Sequence, residues 1–159
     1  MTKIKKFAGA FIASGALLTF TAPAAHAAPP EPFTITENLD FTAGTFEFTT
    51  TGGALCPSGT FEDEFIAQGG NDTSIEHASK VNLQFRTVYT CDDRSGSFFA
   101  RKHVFLVLNE DESSDNSGPI SFHGGTGDYT TLSGHGVNIG HGKTDNTAVG
   151  EISGVLKLR

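Results

Sequence analysis

From Phe33 to the C-terminus apolar residues return at every second position, and no stretch sustains the 3.6-residue period of a helix. Such a chain buries its apolar side only by pairing strands. Phe33, Ile35, Leu39 and Phe41 share one face of a first strand, and Glu37 falls on that face with them. Ala43-Gly44 interrupts the run. Phe46 and Phe48 continue it in shifted parity, which places a turn or bulge at Gly44. Gly59 to Gln68 sets Phe61, Asp63, Phe65 and Ala67 on one side. Lys80 to Cys91 alternates most cleanly: Val81, Leu83, Phe85, Thr87 and Tyr89 face one way, Asn82, Gln84 and Arg86 the other. Ser97 to Asn109 is dense in Phe, Val and Leu, which suits partial cover on both faces. Ile120 to His123, Ser133 to Lys143 and Ala148 to Leu158 complete the set, with Ile152, Leu156 and Leu158 in phase. Glu110 to Ser117, acidic and Ser-rich, reads as a solvated loop, and Gly69-Gly70-Asn71-Asp72 as a turn.

Seven or eight short strands in meander order must hide a Phe-rich face without leaving open edges. The expectation is an all-β fold, a small eight-stranded antiparallel barrel, with a two-sheet β-sandwich as the alternative. The stretch from Gly124 to Gly136 is the most specific local feature. Its glycines, Gly125, Gly127, Gly134 and Gly136 among them, permit positive φ and close backbone approach. Tyr129 and Leu132, three apart, can face the same way on one short helical turn and plug the end of a barrel. This reads as a structural turn.

Residues 1–27 stand outside that pattern. Lys3, Lys5 and Lys6 precede an apolar run from Phe7 to Phe20, and Ala25-His26-Ala27 is a small-x-small cleavage site. This is the form of a secretory signal peptide, too short and wrongly flanked for a membrane span. Residues 28–32 make a Pro-rich leader, and 33–159 a single domain. Removing three lysines and no acids takes the formal charge from −7 to about −10. That balance argues against nucleic acid or an anionic membrane as a partner. Eleven of the 14 Phe remain to build the core. The expected location is extracellular.

In an exported chain with two cysteines, Cys56 and Cys91, a disulfide is the default. It would close a loop of about 35 residues at one rim. A metal thiolate pair or a reactive thiol lacks partners in the sequence.

Three segments resemble the allene oxide cyclase barrel-like family of secreted bacterial proteins. They are Ser58-Gly59-Thr60-Phe61-Glu62-Asp63, Cys91-Asp92-Asp93-Arg94-Ser95-Gly96-Ser97-Phe98, and Gly125-Thr126-Gly127-Asp128-Tyr129-Thr130-Thr131-Leu132-Ser133-Gly134-His135-Gly136. The resemblance implies an eight-stranded barrel with a central cavity, related in architecture to plant allene oxide cyclases and dirigent proteins. It carries no reaction with it, and no segment matches the catalytic residues of the plant cyclases.

The chemistry-bearing candidates follow from phase. Glu37 lies between Ile35 and Leu39, and Asp63 between Phe61 and Phe65, where alternation predicts apolar side chains. An acid on an apolar inner face is costly unless paired or hydrogen-bonded, so each is a candidate ligand anchor or general acid. Tyr89, in phase with Phe85, can donate into the same interior. His135, Val137, Ile139 and His141 share a face; if the aliphatics point inward, His135 does too. His135 and His141 are six residues apart on one strand, about 20 Å, too far to share a metal. No metal site and no cofactor site is expected. Gly140-His141-Gly142-Lys143-Thr144 ends like a phosphate-binding loop, but the required earlier Gly falls at Val137. No Gly-x-Ser-x-Gly elbow is present. Asn71-Asp72-Thr73 fits a glycosylation acceptor. The expected function is binding of an apolar or amphipathic small molecule in a Phe-lined cavity. The alternatives are a cofactor-free cyclase or isomerase acting on a polyene or enone, and an extracellular structural module with a filled barrel.

Overall fold

The computed structural model describes residues 29–69 and 80–159. The expected signal segment, most of the expected Gly69–Asp72 turn and the expected acceptor Asn71 lie outside the described residues. Eight antiparallel strands follow one another around a closed barrel: β1 (Glu31–Asp40), β2 (Thr45–Thr51), β3 (Ser58–Gly69), β4 (Lys80–Cys91), β5 (Ser97–Leu108), β6 (Ser114–Gly125), β7 (Ser133–Gly142) and β8 (Thr147–Lys157). β8 pairs back onto β1, Ile35 opposite Ile152, so no strand edge is left open. The expected barrel is what the chain forms. β1 begins earlier than alternation suggests, because Glu31 and Pro32 pair with Leu156 and Val155.

The two ends of the barrel differ. One end is filled. Phe33, Phe48, Phe98, Phe122, Tyr89 and Tyr129 interlock there, Tyr89 stacked on Phe98 at 4.7 Å and Phe33 edge-on to Phe122 at 5.3 Å. The glycine turn closes this end. Gly127–Tyr129 forms one 3₁₀ turn that drives Tyr129 and Leu132 into the interior, both buried. Gly127 has φ +57°, and a Cβ on it would lie 2.1 Å from the Ser95 carbonyl oxygen. The turn is also stitched to the β4–β5 connection: Asp128 N–H donates to Ser95 O, and the Tyr129 hydroxyl meets Ser95 Oγ at 3.0 Å. At the same rim Cys56 and Cys91 are joined, their Cα atoms 5.9 Å apart.

Three sequence expectations fail. First, β7 is inverted. Val137 and Ile139 are 51% and 63% exposed, and the inward row is Gly134, Gly136, Asn138, Gly140 and Gly142. The interior at β7 is already occupied by neighbouring side chains. A Cβ at Gly134 would lie 2.5 Å from the Leu156 side chain, so the glycines must face in and the aliphatics out. His135 therefore lies on the outer wall. Second, β6 starts at Ser114, not near Ile120. Ser114 and Asn116 continue the inward phase of Ile120 and Phe122, although Glu110 to Ser117 has the composition of a loop. Third, a bulge falls between Phe65 and Ala67. Ala67 then pairs with Gln84, in the outer row of β4, instead of following Phe61 and Asp63 inside.

Candidate functional site

The unfilled end of the barrel holds a cavity of about 440 Å³. Its walls are largely apolar, with Leu39, Phe46, Leu83, Phe85, Val104 and Leu106 prominent. The polar side chains in it come from five strands. β1 contributes Glu37, β3 Asp63, β5 Lys102, β6 Ser114 and Asn116, and β7 Asn138.

Glu37 is buried, 3% exposed, and its partner across the barrel is Lys102, 4% exposed. Lys102 Nζ donates to Glu37 Oε1 at 2.5 Å. The Tyr89 hydroxyl donates to the same oxygen at 2.6 Å. Lys102 Nζ also lies 3.5 Å from Asp63 Oδ1, and 4.9 Å from the centre of the Phe61 ring. Asp63 is less enclosed, its side chain 27% exposed, and it accepts a hydrogen bond from the buried Thr87 hydroxyl. The result is a chain of polar groups, Tyr89–Glu37–Lys102–Asp63–Thr87, at the boundary between the aromatic plug and the cavity. Burial, then the charge of Glu37 and the hydrogen bond to it, then the charge of Asp63, hold the Tyr89 phenol well above its ordinary range. It stays a donor across the physiological range.

Three of the four residues singled out by phase, Glu37, Asp63 and Tyr89, meet around one ammonium group. His135 does not join them. It is exposed on the outer wall opposite Ser121 and Val155. The other histidines of the described strands also find external or rim partners: His103 with Asn82 at 2.6 Å, His123 with Ser121 at 2.9 Å, His141 with Asp115 at 2.8 Å. Among the described residues no three His, Cys, Asp or Glu side chains gather as metal ligands.

Lys102 was missed by sequence reasoning, and the signal was there. It lies in phase with Phe98, Ala100, Val104 and Leu106, as Glu37 does with its neighbours. The apolar density of both faces of β5 hid which row was inner. Asn138 and Asn116, joined by an Nδ2–H···Oδ1 bond of 2.9 Å, were missed because β7 was read in the opposite phase and Asn116 was read as loop.

Fold and site together define a closed eight-stranded antiparallel barrel, plugged at one end, with a polar network at the floor of a cavity at the other. No protein-family model matches the chain, and no curated protein and no solved structure matches it either.

Proposed function

We propose that this protein is an exported binding barrel that holds an apolar or amphipathic small molecule in the cavity above Glu37 and Lys102. The observation that carries the reading is the pairing of an apolar chamber of about 440 Å³ with a few convergent polar groups at its floor. That combination is the usual form of a small-molecule site. The buried aromatic cluster fills one end, while Phe46 and Phe85 line the chamber at the other without filling it, which favours a binding chamber over a wholly filled structural barrel. The disulfide and the basic-apolar-small pattern of residues 1–27 support an extracellular location. Glu62, Arg86, Arg101 and Glu151 on the outer wall argue against a lipid-facing surface. The formal charge argues against nucleic acid. The glycine-turn and Cys91–Phe98 segments support placing the chain with the allene oxide cyclase barrel-like proteins.

A second reading is a cofactor-free cyclase or isomerase. The buried Tyr89–Glu37–Lys102 contacts favour it, because a proton-bearing network beside an apolar chamber can fold and protonate a reactive polyene or enone. Native mass spectrometry of protein taken from its own producer's medium tests the primary reading. A stoichiometric small-molecule adduct is expected. A bare polypeptide that also fails to bind naphthalene in solution would defeat it. A bound molecule recovered chemically changed would favour the second.

A further inference from the structure

Glu37 has two carboxylate oxygens, and the network uses one. Lys102 and Tyr89 both donate to Oε1; among the described residues Oε2 receives no hydrogen bond. Oε2 is not sealed in protein. Among the described residues the one fully enclosed side-chain polar atom without a partner is Gln68 Nε2. Oε2 of this 97%-buried residue therefore opens on the cavity that Glu37 lines.

A second acceptor points at the same place. Asn138, 4% exposed, donates its Nδ2 to Asn116, which turns its Oδ1 the other way. The two acceptors converge at Gly150, the residue paired with both Glu37 and Gly140. A carbon placed at the Cβ position of Gly150 would lie 3.2 Å from Glu37 Oε2 and 3.5 Å from Asn138 Oδ1. Both acceptors thus flank the inner face of Gly150, and among the described residues neither receives a protein donor.

From this geometry we infer the chemical class of the ligand: an amphipathic molecule whose polar head donates hydrogen bonds, a primary amine or an alcohol, seated against Gly150 between Glu37 and Asn138. The inference rests on the binding reading above and deepens it. A donor head pairs with two acceptors that no described protein group satisfies, and a hydrogen bond to the charged carboxylate is the stronger kind. Charge points the same way. The ionisable side chains lining the cavity are Glu37, Asp63 and Lys102, a formal sum of −1. An ammonium head neutralises that charge, a hydroxyl head leaves it alone, and a carboxylate head adds to it in a region of low dielectric. Lys102 does not invite a carboxylate, because its ammonium is already engaged by Glu37 and lies near Asp63. The apolar body of the ligand would extend from the floor along Leu39, Val104 and Leu106 toward the mouth.

The test is calorimetric titration of the full mature protein with decylamine, 1-decanol and decanoate, each below its micelle concentration, and with naphthalene as a headless probe. Decylamine and decanol are expected to bind at least tenfold more tightly than decanoate, the scale of one hydrogen bond to a charged group. Decanoate binding as tightly as the other two overturns the inference while leaving the cavity reading intact. Failure of all four, naphthalene included, removes the cavity reading itself. Gly150→Ala adds a methyl group 3.2 Å from Glu37 Oε2 and 3.5 Å from Asn138 Oδ1 at ordinary φ, crowding both acceptors, and is expected to erase the preference among head groups. Should that variant not fold, amide NMR of the wild type serves instead. Decylamine should shift the Gly150 amide and the Asn138 side-chain amide, and shifts confined to Phe41 and Leu106 at the mouth would refute the seat.

Discussion

Replacing Lys102 with methionine isolates the energetic consequence of the buried pair. Methionine matches the length of the lysine stem, but removes the ammonium that lies 2.5 Å from Glu37 and 4.9 Å from the centre of the Phe61 ring. Glu37 then remains buried with one neutral donor, Tyr89, in place of two. Breaking one side of a buried ion pair typically costs about 3–5 kcal/mol. The surviving Tyr89 bond places this case near the lower end, at about 3 kcal/mol. Asp63 adds little, because its side chain is partly in water and keeps Thr87 as a donor. In a domain of this size about 3–4 °C of melting temperature corresponds to 1 kcal/mol, so Lys102→Met should melt about 10 °C lower. The second arm is the Lys102→Met/Glu37→Gln double variant. Its amide oxygen still accepts from Tyr89 and no buried charge remains, so it should recover most of the loss. Glu37→Gln alone should cost less than Lys102→Met, since Lys102 retains Asp63 at 3.5 Å. Thermal melts followed by far-ultraviolet circular dichroism, without reductant, supply the four corners of the cycle. A Lys102→Met protein melting within 2 °C of wild type, or a double variant no better than the worse single, would refute the argument that Glu37 depends on this cation.

Thiol titration of the unfolded, unreduced protein should find no free thiol, and reduction should lower stability by at most about 4 kcal/mol, the loop-closure value for a separation of 35 residues. Gly127→Val should lower the melting temperature by several degrees, since Gly127 has φ +57° and its absent Cβ would meet Ser95 O; normal melting would remove the structural role of the turn. The Tyr89 phenol should resist ionisation until well above pH 10 in an ultraviolet titration of the native protein. Because its folded pKa is raised, its contribution to stability is intact below pH 10 and is lost as pH rises beyond that, and Tyr89→Phe should flatten that alkaline decline. Ile139→Lys should change melting by no more than about 2 °C, because that side chain is 63% exposed on the outer wall; a large loss would restore the inward phase of β7.

What was legible in the sequence was set by side-chain bulk. The aromatic rows of β1, β2 and β4 announce their phase because Phe and Tyr have one place to go, and from them the barrel and the inward positions of Glu37, Asp63 and Tyr89 follow. β7 carries its bulk on the wrong side for that logic. Val137 and Ile139 are its largest apolar residues, yet they face outward, because the inner space at β7 is claimed by Leu156, Asn116 and Ser114. Alternation of glycine with anything is ambiguous: a glycine row looks polar in a hydropathy pattern but can be the inner row wherever neighbouring strands crowd it. The same blindness hid Asn138, and it placed His135 in the interior.

That glycine row also accounts for the asymmetry of the barrel. At the plugged end, Gly134 lies opposite Phe122 and Leu156, and the bulk of those partners occupies the space the glycine leaves. Toward the mouth, Gly140 and Gly142 of β7 lie beside the short polar side chains of Asn116 and Ser114, and Gly150 of β8 beside Glu37 and Asn138. A Cβ at Gly140 or Gly142 would come within 2.5 Å of the Asn116 amide or the Ser114 hydroxyl, so larger residues cannot enter without displacing them. The side chains on this wall are short, and Phe46 and Phe85 on other strands line the cavity without filling it. The cavity is therefore a direct consequence of where the chain spends its small residues. Its polar floor lies at the level of Glu37, at the edge of the buried aromatic cluster.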